Sequence, residues 1–316
     1  MGKRVAFVFP GQGSQKVGMG QELFSQNQKA KAALVNADES LGFSISTLIA
    51  EGPELALTET KHAQPALLLM SSILADMLSE AGVKPVVTAG HSLGEYSALV
   101  ASGVLAFEDA LKLVHERGKL MEAAYPANQG SMAAVLGLEA PTIKDTISGL
   151  EETVELANLN CPGQIVISGT KQGIEVAIPL LQEAGAKRVI PLNVSGPFHS
   201  SLMKPASEQF AQLLDKITFH DAAIPVFANV TAEKVEGAAE IKELLVKQLY
   251  SPVRFHEIIS ALLADELDAI IEVGNGKVLS GLIKKVSRRA KVFSVEDLVS
   301  LEACVNWYKE EESNGE

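Results

Sequence analysis

The chain has only two cysteines in 316 residues, Cys161 and Cys304, far apart and without metal-ligand spacing. That excludes a disulfide framework and a cysteine-built zinc site, and it fits a reducing, cytoplasmic compartment. No apolar run approaches the ~20 residues of a membrane-crossing helix. Basic residues are outnumbered, 27 Lys and Arg against 39 Asp and Glu, for a net charge of −12. Such a balance argues against nonspecific nucleic-acid binding, though not against an acidic protein partner, because docking depends on the local patch. Phosphate-binding fingerprints are also missing. Gly11 and Gly13 are followed by Lys16 where a dinucleotide loop needs glycine, and Gly276-Lys277 is preceded by Ile271 where a P-loop needs one. The opening MGKRVAFVFPGQG is too short in apolar residues for a secretory segment and reads as a first buried strand.

Apolar residues make up 47% and charged residues 21%, the balance of a globular enzyme with a sizeable core. Short β-branched runs alternate with longer amphipathic stretches, which predicts an α/β fold around a mostly parallel sheet. From Gly130 to about Leu192 the rhythm changes to strand, helix, strand, strand, helix, strand, with a turn at Asn160, Pro162 and Gly163. That order is ferredoxin-like. The expected organisation is a catalytic body formed by residues 1–129 and 197–316, with a small subdomain inserted at 130–196. The terminal EEESNGE reads as a frayed tail.

Gly90-His91-Ser92-Leu93-Gly94 is a G-x-S-x-G match with an apolar run before it and a helical stretch after it. This is the strand–turn–helix context of a nucleophile elbow, with Ser92 at the corner and the Leu93 N–H free to meet an oxyanion. The bland alternative is a glycine-rich turn with a capping serine. Gln12, in the loop after the first strand, is a candidate for the second oxyanion donor, against a plain tight turn. Arg117 lies on the apolar stripe of the helix around 107–124 and needs an acceptor there. Either Glu95 or a substrate carboxylate would serve. Among six histidines, His91 should point away from its neighbour Ser92, and His115 should lie off its helix's buried face. His199, in Val194-Ser-Gly-Pro-Phe-His-Ser between a strand and a helix, is the best-placed base. No aspartate between Ser92 and His199 is placed to orient that base, so a backbone carbonyl is an alternative.

Taken together, Phe9-Pro-Gly-Gln-Gly-Ser-Gln, Gly90-His-Ser-Leu-Gly-Glu-Tyr-Ser-Ala-Leu, Gly196-Pro-Phe-His-Ser and Gln248-Leu-Tyr-Ser-Pro-Val-Arg resemble the malonyl-CoA:acyl carrier protein transacylases of bacterial fatty-acid synthesis, over essentially the whole chain. The resemblance implies a hydrolase-like α/β body with a ferredoxin-like insert. It implies Ser92 as nucleophile, His199 as base, Arg117 as holder of the malonyl carboxylate, and the Gln12 and Leu93 N–H groups as oxyanion hole. Gln248 would offer its main-chain carbonyl to the histidine. Malonyl-CoA and acyl carrier protein would be the substrates, in a ping-pong reaction without metal or redox cofactor. Gly274-Asn275-Gly276 departs from the family, which commonly has proline between these glycines, so the rigidity of that loop is in question. Phe198, beside the base, is a candidate for restricting α-substituents, against ordinary loop packing. Lys284, Lys285, Arg288, Arg289 and Lys291 form a late basic cluster that would meet the carrier or the coenzyme A phosphates, or else is a solvated helix face. An esterase using the same serine and a noncatalytic carrier-binding module are the rival readings. The lack of a placed acid, together with Arg117, counts against the first, and the intact Ser92, His199 and Arg117 against the second.

Overall fold

The computed structural model describes residues 2–310, so all but Glu310 of the terminal tail lies outside the described residues. Among the described residues, ten strands form two sheets. They are β1 (Val5–Phe9), β2 (Pro85–Gly90), β3 (Gly130–Leu136), β4 (Val154–Cys161), β5 (Gln164–Thr170), β6 (Arg188–Pro191), β7 (Val226–Phe227), β8 (Lys234–Val235), β9 (Ala269–Val273) and β10 (Val292–Val295). The larger sheet has the order β10-β9-β1-β2-β7-β8. Its first five strands run parallel and only β8 opposes its neighbour. The smaller sheet, β4-β5-β3-β6, is antiparallel throughout, which is the ferredoxin-like order.

β1 is buried along its whole length because helices cover both faces of its sheet. Val5, Phe7 and Phe9 point into one core with the helices Thr60–Glu80, Leu93–Ala101 and Phe107–Ala123. Ala6 and Val8 point into another with Phe255, Ile258, Leu262, Leu279 and Ile283. A third core joins the small sheet to the helices Ala140–Ile147 and Lys171–Glu183 through Ala133, Ile143, Ile167, Ile174 and Leu181. β4 of the small sheet is fastened to the segment just before the helix Phe255–Ala264 by backbone bonds from the Leu159 N–H to the Val253 carbonyl and from the Val253 N–H to the Ala157 carbonyl, 2.8 Å each. Met132 and Asn158 of the small sheet line the same cavity as Gln12 and Ser92, which follow the C-terminal ends of β1 and β2.

Local differences from the sequence reading have clear causes. The long helix starts at Thr60, ahead of Pro65, the residue type that favours a helix's first turn. Pro65 lacks the N–H that the Lys61 carbonyl needs, and His115 Nδ1 donates to that carbonyl instead at 2.7 Å. His115 is therefore buried, not off the packed face as expected. The helix Leu298–Lys309, missed in the sequence, is opened by a capping box between Asp297 and Ser300. The helix Val278–Val286 stops before Arg288, Arg289 and Lys291, so the basic cluster is not one helix face. Among the described residues, no helix is long and apolar enough to cross a membrane.

Candidate active site

β1 and β2 are neighbours at the centre of the parallel sheet, and their C-terminal ends open into one crevice, the usual ligand edge of such sheets. β2 ends at Gly90 and the next helix begins at Leu93, leaving two residues to reverse the chain. Ser92 takes φ 51° and ψ −104° to do so. A non-glycine residue held there costs ~1–3 kcal/mol that the surroundings must offset. The flanking glycines are forced by contact. A Cβ on Gly90 would lie 1.9 Å from the Gly94 carbonyl carbon, and one on Gly94 would lie 2.0 Å from the Phe9 oxygen. The elbow thus closes only because strand, turn and helix backbones touch.

His199, also at positive φ (59°), reaches the elbow from the loop after β6. Its Nε2 lies 2.8 Å from Ser92 Oγ, while Nδ1 lies 2.8 Å from the Gln248 carbonyl. A carbonyl only accepts, so the proton sits on Nδ1, and Nε2 keeps its lone pair toward the hydroxyl. Burial and the nearby Arg117 cation hold the imidazole down to about 3, against the raising effect of the Gln248 carbonyl. The ring is neutral at physiological pH and able to take a proton. His91 turns away and bonds Asn160 Oδ1 at 2.8 Å.

Arg117 is fully buried. Its Nη1 donates to Gln64 Oε1 at 2.7 Å. Nη2 donates to Gln248 Oε1 at 2.9 Å and to Ser92 Oγ at 3.2 Å, and the guanidinium lies 5.1 Å from the centre of the Tyr96 ring. Glu95 is not its direct partner. That carboxyl accepts from Gln248 Nε2 at 2.6 Å, so Gln248 bridges the two. Among the described residues no carboxylate forms an ion pair with Arg117, and its Nε has no acceptor. Burial pulls the group down from its ordinary value, but a guanidinium stays charged. The site therefore holds a desolvated cation beside the serine hydroxyl, with donors to spare.

Ser92, His199, Arg117, Gln12, Leu93, Gln64 and Phe198 line one cavity of about 340 Å³. Among the described residues, no hydrogen bond engages the N–H of Gln12 or Leu93, and Leu93 is in the first helical turn, where such groups lack intrahelical acceptors. Asn275 fastens the departing Gly274–Gly276 loop by donating its side-chain amide to the Ser14 carbonyl. Sequence reasoning missed Gln64, Asn229 and the side-chain role of Gln248. Gln64 was legible as a polar residue within the apolar stretch Ala63–Leu69 of its helix, by the logic that singled out Arg117. Among the described residues, no cluster of three or more His, Cys, Asp or Glu is placed to hold a metal ion.

A parallel α/β body carrying a serine at a strand-to-helix corner, with an antiparallel ferredoxin-like sheet over it, is the hydrolase-like architecture. Within that class the chain belongs to the acyl transferase domain family, which matches residues 6–306. It is 52% identical over 314 residues to the malonyl CoA-acyl carrier protein transacylase of Bacillus subtilis (strain 168), covering 98% of this chain and 99% of that one. A crystal structure of an acyl carrier protein S-malonyltransferase from Vibrio cholerae superposes with TM-score 0.92 at 43% identity, covering 95% of this chain and 99% of that one. A malonyl-transacylase solved in complex with a type II PKS acyl-carrier protein gives TM-score 0.93 at 39% identity, covering 96% and 99%.

Proposed function

We propose that this acyltransferase moves a malonyl group from malonyl-CoA to the phosphopantetheine thiol of acyl carrier protein, through a malonyl ester on Ser92. One observation carries the reading: a buried Arg117, with no carboxylate partner among the described residues, lies 3.2 Å from the hydroxyl that would be acylated. The similarity to named transacylases supports the same substrates.

In this mechanism His199 Nε2 takes the Ser92 proton as Oγ attacks the thioester carbon. The Gln12 and Leu93 N–H groups receive the oxyanion, each worth ~3 kcal/mol in comparable sites. Collapse expels the coenzyme A thiolate, which recovers the proton from His199. The carrier thiol then gives its proton to His199 and attacks the ester carbon; collapse breaks the bond to Ser92 Oγ, which recovers the proton from His199, and the malonyl thioester of the carrier leaves. Gln248, through its main-chain carbonyl, holds the imidazole in the working tautomer. Arg117 pairs the free carboxylate of the acyl group. Coenzyme A enters as part of a substrate, and no step calls for a metal or redox group.

The reading includes a body of residues 1–129 and 197–316 with the subdomain 130–196 inserted, the crevice between them admitting both thioesters. It also includes a cytoplasmic location, supported by the free buried thiols Cys161 and Cys304. Brief exposure to malonyl-CoA followed by peptide mass spectrometry tests the intermediate. A malonyl adduct confined to the Ser92 peptide and discharged by carrier protein is expected. Transfer without any adduct on Ser92 overturns the mechanism, and release of free malonate in place of transfer overturns the acyltransferase assignment.

A further inference from the structure

The sequence offered no acid to orient His199, yet a buried one lies three residues after the nucleophile. Glu95 is 3% exposed and, among the described residues, forms no ion pair. Its Oε2 accepts two hydrogen bonds, from the Asn229 N–H at 3.1 Å and from Gln248 Nε2 at 2.6 Å. Asn229 is fully buried in the turn after β7, the strand beside β2. Its side chain clasps the elbow from both ends. Oδ1 accepts from the Ser92 N–H at 2.7 Å, and Nδ2 donates to the Gly90 carbonyl at 2.7 Å. One side-chain amide thus satisfies the backbone on both sides of the strained corner, as a further strand would. Gln248 Nε2 also donates to the Ser92 carbonyl at 3.1 Å, and its own carbonyl holds His199.

The geometry points to Glu95 and Asn229 as positioning residues that register the Ser92 nucleophile against the His199 base. Two arms leave the one carboxyl. Through Asn229 it fixes the backbone of Ser92, and through Gln248 it fixes the imidazole. The acid of a triad is therefore replaced by a carboxyl acting at one remove on both partners. Burial pushes the Glu95 carboxyl up to about 7, with the Asn229 N–H, the Gln248 amide and Arg117 opposing. Even when protonated, Oε2 can accept both bonds with the proton on Oε1. The clamp is purely local and rests on the Ser92–His199 reading above.

The test uses the full chain with Glu95→Gln, Asn229→Ala and the double variant, each checked for folding by circular dichroism. The readouts are the rate of Ser92 modification by phenylmethylsulfonyl fluoride, a small probe without a carboxylate, and kcat and KM for malonyl transfer. Each single variant should slow serine modification and kcat by roughly 10²-fold, the scale of small misplacements of reacting groups, while KM for malonyl-CoA moves less than about threefold, because Arg117 and its Gln64 contact are retained. The double variant should lose clearly less than the sum of the two single losses, because both substitutions act on the shared Asn229 arm. Additive losses, or folded variants modified at the wild-type rate, overturn the clamp. A wild-type protein that the probe modifies elsewhere than Ser92 overturns the underlying reading instead. If the variants do not fold, amide exchange in the wild type decides. The Ser92 N–H should be among the slowest-exchanging amides, and rapid exchange at that site overturns the Asn229 contact.

Discussion

Replacing Arg117 by alanine should separate malonyl from acetyl transfer, and the structure gives the scale. The guanidinium lies 3.2 Å from Ser92 Oγ, and the free carboxylate of a malonyl ester is three bonds from that oxygen. The two would meet within hydrogen-bond distance in a cavity whose lining, among the described residues, includes no carboxylate. Truncating one partner of a buried ion pair costs ~3–5 kcal/mol, or roughly 10²- to 10⁴-fold in kcat/KM at about 1.4 kcal/mol per decade. An acetyl ester has no carboxylate to lose. It forfeits only the hydrogen bond to Ser92 Oγ, ~1 kcal/mol. The variant also strands the Gln64 and Gln248 side-chain oxygens, but that cost is common to both acyl groups. The assay is therefore a ratio. Acyl transfer from malonyl-CoA and acetyl-CoA is measured on one preparation, so any loss of folded protein cancels. Selectivity for malonyl should drop by the difference, ~2–4 kcal/mol, or roughly 30- to 10³-fold. Equal losses for both acyl groups would refute the assignment of Arg117 to the substrate carboxylate.

The low proton affinity of His199 predicts that kcat/KM persists as pH falls past 6.5 toward 5; an acid limb centred near 6.5 would mean that the imidazole is not held down by burial and Arg117. For stability the signs differ. His199 takes up a proton in the unfolded chain below about 6.5 but in the folded chain only near 3, so it lowers stability as pH falls through that window. Glu95, raised to about 7 from 4.5, instead raises stability as pH falls from 7 to 4.5, and thermal melts of Glu95→Gln should lose that component. Gly94→Ala, whose Cβ would meet the Phe9 oxygen at 2.0 Å, should destabilise by about 3 kcal/mol or more in urea melts, whereas Gly149→Ala, in open space, should change stability by less than ~0.5 kcal/mol. Arg288→Glu with Arg289→Glu should raise KM for carrier protein in a salt-dependent way and leave the elbow intact. Unchanged affinity for both carrier and malonyl-CoA removes this cluster from docking. Lys284 and Lys285 are less clean probes, since they already bond the Ala290 carbonyl and Gln164.

What the sequence determined by itself is local. A run of apolar residues ending in Gly-x-Ser-x-Gly before a helical stretch can close in few ways, because both glycines sit where backbones touch. The switch of rhythm at Gly130 likewise announced a second kind of sheet, since strand pairing and helix spacing are written in neighbouring residues. The edges were less legible. The Thr60 helix start was hidden because Pro65 normally marks a first turn, and only His115, fifty residues on, repairs the carbonyl it strands. Tertiary structure alone decided that Arg117 faces the serine rather than Glu95, and that Gln248 holds a histidine with its carbonyl and an arginine with its side chain. It also decided that Asn229 braces the corner. Those contacts join residues 25 to 139 positions apart, and a hydrogen bond between distant segments leaves no periodicity in the chain. It exists only once β1, β2 and β7 lie side by side and bring their ends to one edge.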